Sequence, residues 1–114
     1  MRAPGATRER DACRFLEAQG LRLQARNFHC RLGEIDLIMR DGEELVFVEV
    51  RHRGAGSLVD ATGSVDARKQ QRLIKAARVW LTRHPQEADA PMRFDVCASD
   101  GTGWEWIRNA FDAV

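Results

Sequence analysis

The stretch that decides the fold is GEIDLIMRDGEELVFVEVR, residues 33–51. Two apolar runs, residues 34–40 and 44–51, flank the dipeptide Asp41-Gly42, which is a frequent hairpin turn. The pattern therefore predicts two antiparallel strands. Acidic residues nevertheless stand inside both apolar runs, and a buried carboxylate destabilises a protein unless a partner compensates it.

Side-chain alternation along a strand predicts that these acids share one face of the hairpin. Glu34 and Asp36 lie on the same side of the first strand, and Glu49 and Arg51 lie on the same side of the second. The other side of the first strand would then carry three apolar residues, Ile35, Leu37 and Met39.

The length of the turn leaves two registers open. A two-residue turn at Asp41-Gly42 sets Glu34 opposite Glu49, whereas a four-residue turn ending at Glu44 sets Asp36 opposite Glu49. In either register the acids and the arginine at position 51 share a face, where like charges directly opposite each other are destabilising.

A divalent cation between the carboxylates would remove this repulsion. Mg²⁺ takes one or two carboxylates and completes its octahedron with water and substrate oxygens. We therefore expect Asp36 and Glu49 to bind Mg²⁺ or Mn²⁺, with a main-chain carbonyl near Val50 as a further ligand, and Glu34 to have a supporting role. The open alternative is that the acids form ion pairs with arginines, the candidates being Arg26, Arg51 and Arg93.

The remaining elements follow from periodicity and turn residues. A helix is predicted over residues 7–19, with Thr7 as its N-cap and Gly20 after its end. Residues 21–30 alternate as a strand, and a glycine-rich loop of about a dozen residues follows Arg51. A second helix is predicted over residues 64–83, and two further strands are predicted over residues 92–99 and 103–109. Because strand, helix and strand in succession form a right-handed parallel crossover, the chain is predicted to be one α/β domain, residues 1–114, with an α-β-β-β-α-β-β core in which helices flank a mixed sheet.

Composition gives no sign of a basic overall charge, of disulfide pairing or of a membrane span. The 114 residues are 44% hydrophobic, and 18 Lys and Arg balance 17 Asp and Glu, so a basic surface can arise only from local clustering. The three cysteines, Cys13, Cys30 and Cys97, form no CxxC pair and predict thiols in a reducing compartment. No apolar run reaches the length of a membrane span. We expect a cytoplasmic protein without a membrane partner.

The second predicted helix carries a local cluster of positive charge. Arg68, Arg72 and Lys75 recur at i, i+4 and i+7, and Lys69 stands beside them. The apolar stripe of the helix consists of other residues, Leu73, Ile74, Ala77, Trp80 and Leu81. The basic residues can neutralise nucleic-acid phosphates, with Lys69 nearest the acids. Solvated charge on an amphipathic helix is the alternative.

Glu9 extends the apolar stripe of the first helix. It precedes Ala12 by three residues and Leu16 by seven, so its side chain is expected to point towards the sheet and the acids. An acid in the first helical turn is also favoured by the helix dipole, so a purely local role stays open.

Two tryptophans, Trp104 and Trp106, alternate in the last predicted strand. Nucleic-acid bases stack on such rings. The same alternation suits packing against one face of the sheet, and the sequence leaves both roles open.

Taken in order, the helix acid, GEIDLI, VFVEVR, the basic helix and RFDV resemble the bacterial YraN-type proteins. These are similar to the PD-(D/E)xK nucleases, which include restriction endonucleases and archaeal Holliday junction resolvases. By this resemblance Asp36 and Glu49 match the two acids of the motif, Arg51 stands at the position of its lysine, and Glu9 matches the helix acid of resolvase-like members. Two departures are Arg51 in place of lysine and Arg8 in place of the usual glycine.

The resemblance implies a restriction-endonuclease-like fold and a metal-dependent endonuclease acting on DNA, with branched DNA as the expected substrate. Glu9, Asp36, Glu49 and Arg51 would form its catalytic site. The alternative is a nucleic-acid-binding module with a degenerate site, because Arg51 stays protonated and cannot serve as a general base. The sequence leaves a homodimer open.

Overall fold

In a computed structural model, which describes residues 4–52 and 65–113, the chain is an α/β protein with two helices and one five-stranded mixed sheet. The predicted α-β-β-β-α-β-β order is confirmed. The elements are α1 (Pro4–Ala18), β1 (Arg22–Cys30), β2 (Gly33–Asp41), β3 (Glu44–His52), α2 (Ala67–Arg83), β4 (Met92–Ser99) and β5 (Trp104–Phe111), with a 3₁₀ turn at Pro85–Glu87.

The sheet has the strand order β1-β2-β3-β4-β5. Pairing is antiparallel except between β3 and β4, which run parallel with Phe47 beside Phe94 and Val50 beside Cys97. Since α2 lies between these two strands in the chain, the predicted crossover is confirmed.

The predicted start of the first helix is wrong. Helix α1 begins at Pro4 instead of after Thr7, because proline is well tolerated in the first helical turn, where its missing N–H has no intrahelical partner. Its end is as predicted: Gly20 has a φ of +104°, its N–H donates to the Glu17 carbonyl, and the next N–H, of Leu21, donates to the Leu16 carbonyl. This pair of bonds is the Schellman pattern, which glycine favours.

Helix α2 begins three residues later than predicted, at Ala67, because Asp66 is its N-cap. The Asp66 carboxylate accepts a hydrogen bond from the Lys69 backbone N–H at 2.8 Å, as a capping side chain should. Ser64 lies outside the described residues. The same is true of the predicted glycine-rich loop, except for His52, which is the last residue of β3.

Apolar clusters cover both faces of the sheet. On one face α2 contributes its buried residues Leu73, Ile74, Ala76, Ala77 and Trp80, which pack on Leu45, Phe47, Phe94 and Val96. On the other, α1 contributes Ala12, Cys13 and Leu16, which pack on Leu37, Met39, Val46 and Val48. The predicted apolar stripe of α2 is confirmed.

Gly33 brings the start of β2 into contact with the backbone of α2. A Cβ atom at this position would lie 2.5 Å from the Arg72 carbonyl oxygen, closer than side chains approach backbone atoms. The glycine of GEIDLI is therefore required by the packing of helix on strand.

The acid of RFDV has a structural role. Asp95 is fully buried, and its carboxylate accepts hydrogen bonds from Arg93 Nε at 3.0 Å, Trp106 Nε1 at 2.8 Å and the Asn109 backbone N–H at 2.9 Å. The Arg93 guanidinium also binds two carboxylates at the hairpin turn, Asp41 and Glu44. These contacts satisfy the buried carboxylate and join β4 to β5 and to the hairpin.

The three thiols are free, and burial raises the pKa of the two buried ones, Cys13 and Cys97. Within residues 4–52 and 65–113, no helix has the length and apolar character needed to cross a membrane.

Candidate functional site

The site lies where β2 and β3 diverge. Their ladder runs from Asp41–Glu44 at the turn to Leu37–Val48, which is the register that sets Asp36 opposite Glu49. Beyond Leu37 the ladder ends, and the Asp36 carboxylate occupies the gap by accepting a hydrogen bond of 2.8 Å from the Val50 N–H. Strand divergence thus fixes the orientation of the first predicted metal ligand.

Strict alternation of side chains is broken at the same point, which corrects the sequence prediction. Ile35 packs in the cluster beneath α2 together with Ile38, although Leu37 packs beneath α1. On the neighbouring strand, Asn27 has a φ of +53°, a left-handed conformation that changes the direction of successive side chains. Asp36 interacts here with two acids, Glu9 of α1 and Glu49 of β3.

Glu49 is the buried member of the acid group, with 4% of its surface exposed. Its Oε2 atom lies 3.3 Å from Lys69 Nζ, yet it accepts no hydrogen bond from the described residues. Burial, then the hydrogen bond to Asp36 and the charge of Asp36, raise the pKa of Glu49 to about 8, and Lys69 opposes this rise. The protonated form of Glu49 is therefore favoured at neutral pH.

Glu9 reaches the group from α1, as its position in the apolar stripe predicted. Burial, then the charge of Asp36 and a hydrogen bond to it, raise the pKa of Glu9 to about 7. A side-chain hydrogen bond from Asn27 has the opposite effect. Asn27 was not singled out in the sequence, where its only signal is a polar residue within an alternating strand.

A cleft of about 240 Å³ joins these groups. The cleft is lined by the sequence-predicted residues Glu9, Asp36, Glu49, Val50, Arg51 and Lys69, and the structure adds Arg8 and His52. In the sequence Arg8 stands out only as a departure from the family pattern, and His52 follows Arg51 directly, where alternation along a strand would place it on the opposite face. The cleft combines three carboxyl groups with three permanent cations.

Only one of the four basic residues predicted on α2 lies in the cleft. Lys69 is partly buried there, whereas Arg68, Arg72 and Lys75 are exposed to solvent. At 100° per residue their stripe lies roughly 90° around the helix axis from Lys69. The three form a separate basic stripe beside the cleft.

The other charged residues considered in the sequence have different partners. The Glu34 Oε2 atom lies 3.1 Å from His29 Nδ1 at the surface, and Glu34 does not line the cleft. Arg93, one of the arginines considered as partner for the acids, binds Asp95 on another part of the sheet. Trp106 donates its N–H to the same carboxylate.

The donor set fits a hard divalent cation that keeps several water ligands. Among the described residues, no three Asp, Glu, His or Cys side chains are arranged as a complete metal site. Mg²⁺ needs only one or two carboxylates, and Glu49 offers a buried oxygen without a hydrogen bond, next to Asp36. A cation there would replace the proton that the raised pKa of Glu49 favours.

Comparison with known proteins assigns the family. The family model described as "Uncharacterised protein family UPF0102" matches residues 8–98. A UPF0102 protein of Halorhodospira halophila is 54% identical over 110 residues, 96% of this chain and 88% of the relative. Relatives from Pseudomonas entomophila (47% over 113 residues, 95% and 92%) and Klebsiella pneumoniae (52% over 104 residues, 90% and 81%) bear the same family name. The chain belongs to the UPF0102 family.

Proposed function

We propose that this protein is a Mg²⁺- or Mn²⁺-dependent endonuclease that hydrolyses phosphodiester bonds in DNA, with branched DNA as its preferred substrate. The proposal assigns it to the PD-(D/E)xK nucleases, which GEIDLI and FVEVR resemble. The observation that carries it is the buried Glu49 carboxylate, which lies beside Asp36 and Lys69 and has an oxygen that accepts no hydrogen bond. A chain selected only for stability gains nothing from such a group.

Asp36 and Glu49 would hold the cation, together with a main-chain carbonyl near Val50. A bound divalent ion supplies charge neutralisation at the phosphate and lowers the pKa of a bound water. The Val50 N–H donates to Asp36 Oδ2 at 2.8 Å and would hold this carboxylate in position for the ion.

Lys69 and Arg51 would together have the role that a single lysine has in the motif. Lys69 Nζ lies 3.3 Å from Glu49 Oε2, so its amine can orient a water held at that carboxylate. Arg51 lines the same cleft and keeps its charge, so its guanidinium can bind two phosphate oxygens at once. In this scheme the lysine comes from α2 instead of β3.

Glu9 would exchange protons during the reaction. Its pKa of about 7 makes it both a proton donor and a proton acceptor at neutral pH, which is the range in which general acid–base catalysis is most effective. Arg68, Arg72 and Lys75 would bind phosphates that flank the cleft, where exposed cations supply affinity without sequence preference.

One observation favours a second candidate, a nucleic-acid-binding module without catalysis. The carboxyl groups of Glu49 and Asp36 are joined by a hydrogen bond and Lys69 stands beside them, so the acids compensate one another without a metal. A binding module would retain the basic stripe and use this acid cluster as a structural group.

Cleavage assays decide between the two. Wild-type protein is incubated with duplex, flap, junction and single-stranded DNA in Mg²⁺ and in Mn²⁺, and binding is measured on the same panel. Glu49→Gln should abolish cleavage and retain binding, whereas the control Glu34→Gln should preserve both, because Glu34 lies outside the cleft.

Arg51 provides the second comparison. Arg51→Lys should keep or raise the cleavage rate, and Arg51→Ala should lower it by roughly 10², the size of losing one electrostatic stabiliser. If wild type binds DNA but cleaves no substrate, and Arg51→Lys cleaves none either, the endonuclease proposal is wrong and the binding module replaces it.

A further inference from the structure

We propose that a second cavity, next to the acid cleft, binds one unpaired nucleotide of the DNA substrate. The inference rests on the proposed function and deepens it, because it specifies the substrate as DNA with a base outside the double helix. The cavity lies between the N-terminal half of α1, the end of β3 and the β4–β5 turn.

The cavity adjoins the acid cleft. It measures about 450 Å³, and two residues, Arg8 and His52, line both spaces. Its remaining described lining consists of Asp11, Ser99, Gly101, Thr102, Gly103 and Trp104. A phosphate between Arg8 and Arg51 in the cleft would therefore lead its attached nucleoside into the cavity.

The lining suits a base better than a second phosphate. Trp104 offers an aromatic ring on which a base can stack, and Phe15 lies beside it with ring centroids 6.5 Å apart. The exposed carboxylate of Asp11 repels phosphate but accepts hydrogen bonds from the amino groups of bases. The cation that separates the two spaces, Arg8, suits the phosphate between them.

Two glycines leave room for the flat ring. A Cβ atom added at Gly101 or at Gly103 would meet no atom within 4 Å. The turn that carries them is internally hydrogen-bonded: the Ser99 hydroxyl accepts from the Gly101 N–H, and the Asp100 carboxylate accepts from the Thr102 N–H and hydroxyl. The turn can thus bind a base without first becoming ordered.

A paired base cannot enter such a cavity. Bases within a duplex are stacked and paired, so a protein that encloses one acts on single-stranded or distorted DNA or first extrudes the nucleotide. Flaps, gaps and junctions present unpaired nucleotides without that cost. The geometry therefore favours branched or gapped DNA over continuous duplex.

The experiment compares the binding of DNA that carries one unpaired base with the binding of DNA that lacks this base. Labelled gapped DNA carrying one unpaired nucleotide is titrated with full-length protein, and the same DNA carrying an abasic tetrahydrofuran residue at that position is titrated in parallel. Wild-type protein should bind the DNA with the base roughly tenfold more tightly, the size of one base-stacking contact.

Gly103 supplies matched variants that fill the cavity to different extents. Gly103→Leu should bind both DNAs equally and as weakly as wild type binds the abasic one, whereas Gly103→Ala should retain most of the discrimination. Because Gly103 has open space around it, both variants should melt at the wild-type temperature. A Trp104→Phe variant keeps an aromatic ring and should still bind the DNA with the base more tightly than the abasic DNA. A cavity with a purely structural role would not produce this difference in affinity.

The outcomes separate this inference from the proposed function. Equal wild-type binding of the two DNAs, or full discrimination by a folded Gly103→Leu, overturns the nucleotide site even if cleavage is observed. Discrimination by wild type that Gly103→Leu abolishes supports the nucleotide site even if no DNA is cut. Absence of DNA binding by wild type overturns both.

Discussion

Raising the pH from 5 to 8 should destabilise the metal-free protein, because Glu49 is buried beside Asp36. The pKa of Glu49 is about 8 in the folded chain against 4.5 for an exposed glutamate, so the folded state holds more protons than the unfolded state between these values. The free energy of unfolding therefore falls as the pH rises. The contribution is complete below pH 4.5 and is lost as the pH passes through about 8.

The size of this effect follows from one bound proton. One proton of difference changes the free energy of unfolding by about 1.4 kcal/mol per pH unit, so Glu49 contributes up to about 4 kcal/mol over this range. Glu9, whose pKa is raised to about 7, changes stability in the same direction. Lys69 reduces the effect, because its charge stabilises the ionised form of Glu49.

Urea unfolding at several pH values in EDTA measures the slope. Glu49→Gln keeps the shape of the side chain and removes its titration, so its stability should vary less with pH and should exceed that of wild type at pH 8. Glu34→Gln is the matched control and should keep most of the wild-type slope, since Glu34 is exposed and its charge is the smallest of the causes that raise the pKa of Glu9. Equal slopes for wild type and Glu49→Gln would refute the reasoning.

Magnesium should oppose the loss of stability that the metal-free protein shows as the pH rises. A divalent ion binds deprotonated carboxylates, so Mg²⁺ should stabilise wild type more at pH 8 than at pH 5. At a hundredfold excess over its Kd the gain is about 2.7 kcal/mol. Asp36→Asn should abolish the gain, and an identical response to Mg²⁺ in wild type and Asp36→Asn would exclude Asp36 as a ligand.

Three further predictions concern the fold and the basic stripe. Gly33→Ala should lower the melting temperature, because its Cβ would lie 2.5 Å from the Arg72 carbonyl oxygen. The control Gly103→Ala, whose Cβ would meet nothing within 4 Å, should leave the melting temperature unchanged. Equal melting temperatures of the two variants would contradict the close packing at Gly33. Asp95→Asn should cost about 3 kcal/mol in urea unfolding, because a buried ion pair loses one charge; a loss below 1 kcal/mol would contradict that role. Replacing Arg72 and Lys75 together by glutamine should weaken binding to all DNA sequences and flatten its salt dependence, and unchanged affinity would exclude the stripe as a phosphate-binding surface.

The sequence by itself determined the elements and much of the site. Period-two alternation around Asp41-Gly42 predicted the β2–β3 hairpin, and a helix between two strands predicted the parallel pair of β3 and β4. These features depend on residues close together in the chain, so a local pattern is sufficient to reveal them. For the same reason Asp36 and Glu49, on adjacent strands joined by a short turn, could be placed together.

The boundaries of the helices were harder to predict from the sequence. The second helix was predicted to start at residue 64, whereas Asp66 caps α2 because its carboxylate reaches the Lys69 N–H. The start of α1 at Pro4 was missed because a proline in the first turn looks like the end of a loop. Neighbouring residues offered similar local energies, so the choice depended on packing.

Only the tertiary structure decided how the site is assembled. The register sets Asp36 opposite Glu49 at the point where β2 diverges from β3, and Glu9 reaches Asp36 from α1. Lys69 reaches Glu49 through the crossover helix, and Arg8 and His52 approach the same cleft from distant parts of the chain. The physical reason is that strand twist, register and helix docking depend on the packing of the whole core, which no local sequence pattern encodes.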